Sequence, residues 1–203
     1  MTAEEALSRL QQGNERFVSG LRSIETMLSH TKRAEFIQGQ KPFAIVLGCS
    51  DSRVPAEIVF DQGLGDLFVI RVAGNIVAPS QIGSVEFAAS KFNTRLVVVM
   101  GHTDCGAVCA TLEEMQRPQE QQSLNIKAIV DRIRPALEPF RHTELWSRPD
   151  ELTRQASRAN VRASVNQLRH SSELLERLIE QEGLAVVGAE YDLDSGKVEF
   201  FDD

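Results

Sequence analysis

The chain has 203 residues, 42% of them hydrophobic and 25% charged, which suits one globular domain over 1–203 with a sizeable core. A formal net charge of -7 argues against nucleic acid and anionic membranes as partners, although a local field can still receive a small anion. No apolar stretch approaches the roughly 18 residues of a membrane span, and the start, Met-Thr-Ala-Glu-Glu, lacks the basic and apolar regions of a signal peptide, so a cytoplasmic location is expected.

Thr2-Ala-Glu-Glu5 reads as a capping box opening a helix, with Leu7, Leu10, Phe17 and Leu21 near helical spacing and Gly20 as its stop. A second helix is expected over Ser23–Ile37. The apolar faces of both need a cover, either the sheet or a second subunit. Phe43–Gly48 is a first strand, Val54–Phe60 a short helix with Pro55 in its first turn, and Leu67–Val72 a second strand. Pro79–Phe92 is a helix, Leu96–Met100 a third strand, and Cys105–Gln116 a helix. Gln119–Phe140 reads as helical, broken near Pro135 and Pro139, and His142–Asp150 as an irregular connection. One long polar helix is expected over Glu151–Glu182, stopped by Gly183. Leu184–Tyr191 is a fourth strand, and the turn at Asp194-Ser-Gly196 makes Lys197–Phe201 an antiparallel fifth. Alternating strands and helices predict an α/β fold with a mainly parallel central sheet and right-handed crossovers.

Two of these strands lead straight into groups of metal-binding side chains. Cys49-Ser-Asp-Ser-Arg53 follows the first strand, and His102-Thr-Asp-Cys-Gly106 follows the third. Short β-branched apolar runs read as buried parallel strands, and ligands bind at the carboxyl edge of such a sheet where strand order reverses. If the two strands are neighbours, Cys49, His102 and Cys105 converge on one ion, and this ligand set suits Zn²⁺. Three protein ligands leave an open, catalytic position, and a fourth closes it. Asp51 is either that fourth ligand or lies beside the ion. A bidentate pair with Arg53 would hold it off the metal, still able to accept a hydrogen bond from water at the open position. Cys109, one helical turn beyond Cys105, reads as a small buried hydrophobe. His30, His142 and His170 have no ligand partner at useful spacing. The charged pattern of the long late helix reads as a solvated face. Three cysteines without Cys-x-x-Cys suggest neither a disulfide framework nor a redox dithiol.

Cys49-Ser-Asp-Ser-Arg-Val-Pro-Ala-Glu57 together with His102-Thr-Asp-Cys-Gly106 closely resembles the β-class carbonic anhydrases, and the resemblance extends from the N-terminal helices to Tyr191. It implies a zinc-dependent carbonate dehydratase that interconverts carbon dioxide and bicarbonate. Cys49, His102 and Cys105 would be the zinc ligands, and Asp51 and Arg53 the catalytic dyad. Gln40 would bind substrate across a dimer interface. Phe68 and Ala73 would line an apolar carbon dioxide pocket, and Gly106 would adjoin the second thiolate. The implied fold is a four-stranded parallel core with a C-terminal fifth strand, flanked by helices, with N-terminal helices packing on a partner subunit in a homodimer or homotetramer. A hydrolase of carbonyl sulfide or carbon disulfide on the same scaffold, and a non-catalytic zinc-stabilised module, are the alternative readings. Three positions depart from subclasses of the family. Val46 stands where one subclass frames an inhibitory bicarbonate site with tryptophan, which leaves Arg71 free for another partner such as one at a subunit interface, while Tyr191 keeps its match. Phe87 replaces an active-site tyrosine of another subclass. Gly101 stands where a histidine can precede the zinc-binding one.

Overall fold

The computed structural model describes residues 1–24, 26, 37, 39–117 and 123–201. Helix α1 (Ala3–Val18) opens with the expected capping box: Glu5 N–H donates to Thr2 Oγ1, and Thr2 N–H to Glu5 Oε2. It closes at Ser19, with Gly20 in the left-handed region just beyond. The helix expected over Ser23–Ile37 lies largely outside the described residues. Strand β1 (Ala44–Gly48), helix α2 (Ala56–Val59) and strand β2 (Leu67–Arg71) follow. Next come a 3₁₀ turn (Ala73–Asn75), helix α3 (Pro79–Lys91) and strand β3 (Leu96–His102). Helices α4 (Gly106–Gln116) and α5 (Leu124–Leu137) lead through two further 3₁₀ turns to helices α6 (Pro149–Arg169) and α7 (Glu173–Glu182), then strands β4 (Ala185–Tyr191) and β5 (Val198–Phe201).

The sheet order is β2-β1-β3-β4-β5, parallel except for the β4–β5 pair. The chain leaves β1 first toward β2 and then crosses to β3 on the other side, so strand order reverses between β1 and β3. Every residue of these two strands is buried. Their side chains alternate between two layers. Val46 and Val98 pack with Ala6 and Leu10 of α1 and Val59 of α2 on one face. Ile45, Leu47, Val97 and Val99 pack with α3, α6 and α7 on the other. Of the two covers considered for the first helix, its own sheet takes Ala6 and Leu10. Arg16 and Arg22 add to this by clasping the buried carboxylate of Asp61, at 2.7 and 3.1 Å, at the end of the α2 segment.

Three expectations need correction. The late helix is two helices: Ser172 accepts the Leu175 N–H and caps a new start at Glu173. Beyond the break after Arg169, Leu175 and Leu178 join the second core layer. Pro135 does not break its helix. It lacks only the N–H, and α5 continues to Leu137 before tightening into the 3₁₀ turn Glu138–His142. Strand β3 runs two residues further than expected, because Gly101 and His102 pair with Glu190 and Tyr191 of β4. The connection before α6 holds a further 3₁₀ turn, Glu144–Ser147. Among the described residues no helix is long and apolar enough to cross a membrane.

Candidate metal centre

The reversal point brings the split motif together. Cys49 is the first residue beyond β1, His102 the last of β3, and Cys105 caps the start of α4. Their ligand atoms all lie within 4.8 Å of one another, and all three residues are buried. The sulfurs of Cys49 and Cys105 are 4.0 Å apart. Two thiolates bound at about 2.3 Å to one ion with tetrahedral angles would stand about 3.8 Å apart. His102 Nδ1 lies 2.8 Å from Thr103 O. A carbonyl only accepts, so Nδ1 carries the hydrogen and Nε2 presents its lone pair. Nε2 is buried and has no hydrogen-bond partner among the described residues. An orphaned imidazole nitrogen facing two close sulfurs is costly unless something electrophilic fills the gap, and a zinc ion fits both the donor set and the spacing.

The charges lean the same way. Cys105 draws the Cys49 thiol down to about 4, against the opposing push of burial, with His102 and the Gly74 N–H adding to the pull. The proton the pair retains sits on Cys105, which is pushed up by Cys49 and by its own burial. Burial pushes the His102 imidazole down, but the nearby Cys49 thiolate outweighs it and the net direction is up.

Asp51 lies beside this group. Arg53 takes both of its oxygens, Nε donating to Oδ1 at 3.0 Å and Nη2 to Oδ2 at 2.8 Å, while the Arg53 backbone N–H also donates to Oδ1. These bonds hold the Asp51 carboxyl well below the usual carboxylate range. Its Oδ2 is 3.9 Å from His102 Nε2, so the carboxylate faces the mouth of the centre. Arg71, expected to seek another partner such as one at a subunit interface, has both its bonds in this same loop. It donates from Nε to Cys49 O at 3.0 Å and from Nη2 to Asp51 O. An arginine at the end of β2 thus fixes the segment carrying both Cys49 and Asp51.

The other expected residues are spread more widely. Gly106 is the first residue of α4, and a Cβ built on it meets nothing within 4 Å, so open space adjoins the second thiolate. Ala73 begins the 3₁₀ turn beside Cys49. Phe68 lies on β2 and packs against Phe87 and Phe92, with ring centroids 6.3 and 6.2 Å away; it belongs to that aromatic group rather than to the core around Cys49. Gln40 is exposed in the chain leading to β1. Cys109 is half-buried on α4. His142 and His170 are exposed, and His30 lies outside the described residues. Val46 is wholly buried under α1, in the core layer that also holds Tyr191.

Reading the sequence missed the backing of the centre. Gly74 N–H donates to Cys49 Sγ at 3.4 Å, and Asn160 on α6 holds Gly74 O at 2.8 Å. The signal lay in α6, where Leu152, Ala156, Val161, Val165 and Leu168 form a buried stripe that also contains Ser157, Asn160 and Ser164. Polar side chains inside an apolar helical stripe must find partners there.

The carbonic anhydrase family model matches residues 44–198, which span the whole Cys49–His102–Cys105 group. Carbonic anhydrase 2 of Mycobacterium tuberculosis is 40% identical over 192 residues, covering 95% of this chain and 89% of that protein. A carbonic anhydrase of Mycolicibacterium smegmatis is 39% identical over 194 residues, covering 96% and 91%. Among solved structures, a β-carbonic anhydrase of Aspergillus fumigatus superposes with a TM-score of 0.76 at 27% identity, covering 87% of this chain and 83% of that one. With family match, relatives and fold in agreement, the chain belongs to the β-class carbonic anhydrases.

Proposed function

We propose that this chain is a zinc enzyme catalysing the reversible hydration of carbon dioxide to bicarbonate and a proton. The observation that carries the reading is the convergence of Cys49, His102 and Cys105, with Nε2 of His102 orphaned, next to a carboxylate clasped by arginine. When bound, zinc supplies the Lewis acidity that lets water lose a proton near neutral pH, tempered here by two thiolates.

The chain's own groups then have separate tasks. The Nδ1–H bond to Thr103 O fixes the imidazole plane, so that Nε2 would be turned toward a bound ion. Arg53 holds Asp51 ionised and off the metal. Each carboxylate oxygen has more than one lone pair, so Oδ2 can still accept a hydrogen bond while Arg53 occupies one site. In the proposed mechanism the attacking water first gives one proton to buffer, and Asp51 accepts a hydrogen bond from its remaining O–H and turns the oxygen lone pair toward carbon dioxide, a positioning effect rather than a covalent one. Arg71 keeps Cys49 and Asp51 in one rigid loop. The open space at Gly106 and the turn at Ala73 give carbon dioxide an apolar approach. Bicarbonate leaves toward Arg53 and the N-terminus of α4, a local positive patch on an acidic chain.

We further read residues 1–203 as one cytoplasmic domain that works as a homodimer or homotetramer. Strand β2 is an edge, and Phe87 beside it is 53% exposed, so a second copy has an apolar face to cover. Gln40, exposed in this chain, would complete the partner's site. Stopped-flow measurement of carbon dioxide hydration with a pH indicator tests the reading. Zinc-loaded protein is expected to accelerate hydration far above buffer. Zinc-loaded protein with no acceleration would overturn it.

A further inference from the structure

The 3₁₀ turn Ala73–Asn75 is an awkward piece of backbone. Gly74 sits at φ 69°, ψ 21°, and Asn75 follows at φ 43°. A non-glycine residue in the left-handed region persists only where its surroundings hold it. Two holds come from one helix. Asn160 Nδ2 donates to Gly74 O at 2.8 Å, and Ser164 Oγ, one helical turn on, donates to Asn75 O at 3.1 Å. Both side chains are buried. From the opposite side α5 presses on the turn: a Cβ on Gly74 would meet Ile133 Cδ1 at 2.7 Å. The Gly74 residue is therefore fixed at its oxygen by Asn160, while its N–H points at Cys49 Sγ, 3.4 Å away.

We propose that Asn160, which bonds to Gly74 O and not to Cys49, is a positioning residue for the metal ligand Cys49. By holding the Gly74 carbonyl it aims the Gly74 N–H at the sulfur, and so sets how tightly, and with how much donated charge, that thiolate binds an ion. The inference rests on the reading of Cys49, His102 and Cys105 as a zinc site. Ser164 steadies the following residue and shares the task at one remove. Groups that orient the ligands of a metal typically change its affinity about 10–100-fold when lost.

The test compares the full chain with its Asn160→Ala and Asn160→Asp variants. Aspartate keeps the shape of asparagine but, when ionised, cannot donate to Gly74 O. Val165→Ala serves as the control, since it hollows the same helix in the layer facing the sheet, outside the core around Cys49. Zinc affinity is read by competition with a chromophoric chelator, and the thiolate-to-metal band by absorption of the Co²⁺-loaded proteins. Both Asn160 variants are expected to bind zinc about 10–100-fold more weakly, with the Co²⁺ band moved to longer wavelength as the sulfur loses its N–H. Val165→Ala is expected to melt earlier, with affinity and band unchanged. Asn160 variants that bind within twofold of the parent with an unmoved band would overturn the proposal. So would a Val165→Ala chain that loosens zinc equally. If the parent chain itself took up no zinc, the site reading would fail first and this inference with it. If Asn160→Ala does not fold, the isosteric Asn160→Asp decides.

Discussion

Replacing Gly101 by alanine would put a methyl group where the sheet has no room for one. Gly101 lies in β3 directly before His102, outside the left-handed region, so space and not backbone freedom is what calls for glycine there. A Cβ built on it comes within 2.5 Å of Val161 Cγ2 on α6. Carbon atoms in good contact stand about 3.5–4.0 Å apart, so α6 or the end of β3 must give by about 1 Å. Val161 cannot easily retreat, since it is wholly buried and its other methyl already faces Gly188. Overpacking of this kind costs about 1–3 kcal/mol, which for a chain of this size lowers the melting temperature by roughly 2–12 °C. Because the displaced residue precedes His102, a proposed zinc ligand, zinc content should fall as well. The assay is thermal melting of the metal-free chain together with elemental analysis. Val161→Ala supplies the internal check. Alone it deletes two buried methyls, at about 2 kcal/mol. Combined with Gly101→Ala it makes room for the new methyl, so the double variant should be more stable than the sum of the two losses by at least about 0.5 kcal/mol. A Gly101→Ala chain that melts like the parent and keeps its zinc would refute the argument, and so would strictly additive losses. The same crowding leaves no room for a side chain as large as histidine at position 101.

Cys49→Ser is expected to lose most of its zinc, and full retention by elemental analysis would remove Cys49 from the ligand set. Asp51→Ala and Arg53→Ala should each slow hydration by about 10–100-fold or more with the fold intact by circular dichroism. The double variant should be little worse than either, because the pair acts as a unit; near-parental turnover in both single variants would exclude the dyad. Asp61 gives a pH test of stability. Burial pushes its carboxyl up, but Arg16, the Ser23 N–H and Arg22 outweigh that and hold it below its ordinary value. A depressed folded value means stabilisation that is complete above about pH 5 and fades as pH falls below about 4, past the unfolded value. Arg16 and Arg22 are themselves 36% and 39% exposed, so solvent screening cuts the roughly 3–5 kcal/mol of a broken buried pair, and Asp61→Asn should cost about 1–2 kcal/mol at pH 7. That difference should shrink toward pH 3 in urea titrations, and a constant gap from pH 3 to 7 would contradict the assignment. Sedimentation equilibrium should show a dimer or larger assembly, and a fully active monomer would exclude a site completed by a partner's Gln40.

Much of the site was legible because its logic is local. Cys49 and His102 each end an unbroken β-branched run, and such runs become the buried central strands whose carboxyl ends meet where strand order reverses. The Asp51–Arg53 pair was legible for the same reason, since two residues apart in one loop a guanidinium reaches a carboxylate. What stayed hidden depends on long-range packing. Arg71 reads as free for another partner, such as one at a subunit interface, and only the β1–β2 register sets it beside the carbonyls of Cys49 and Asp51. Asn160 lies 86 positions from Gly74 in sequence, and nothing near either residue names the other. The division of the late helix at His170–Ser172 was missed because Ser172 lies in a run as polar as the helix around it, with no glycine or proline to mark a stop.

The most direct measurement is a zinc titration of the metal-free chain with hydration of carbon dioxide followed at each point. Activity is expected to be absent without metal, to rise in proportion to added zinc, and to level off at one equivalent per chain. Cys49→Ser should show no such break. Hydration that is already present before zinc is added, or a chain that binds one zinc tightly and stays inactive, would contradict the reading of Cys49, His102 and Cys105 as a catalytic metal centre.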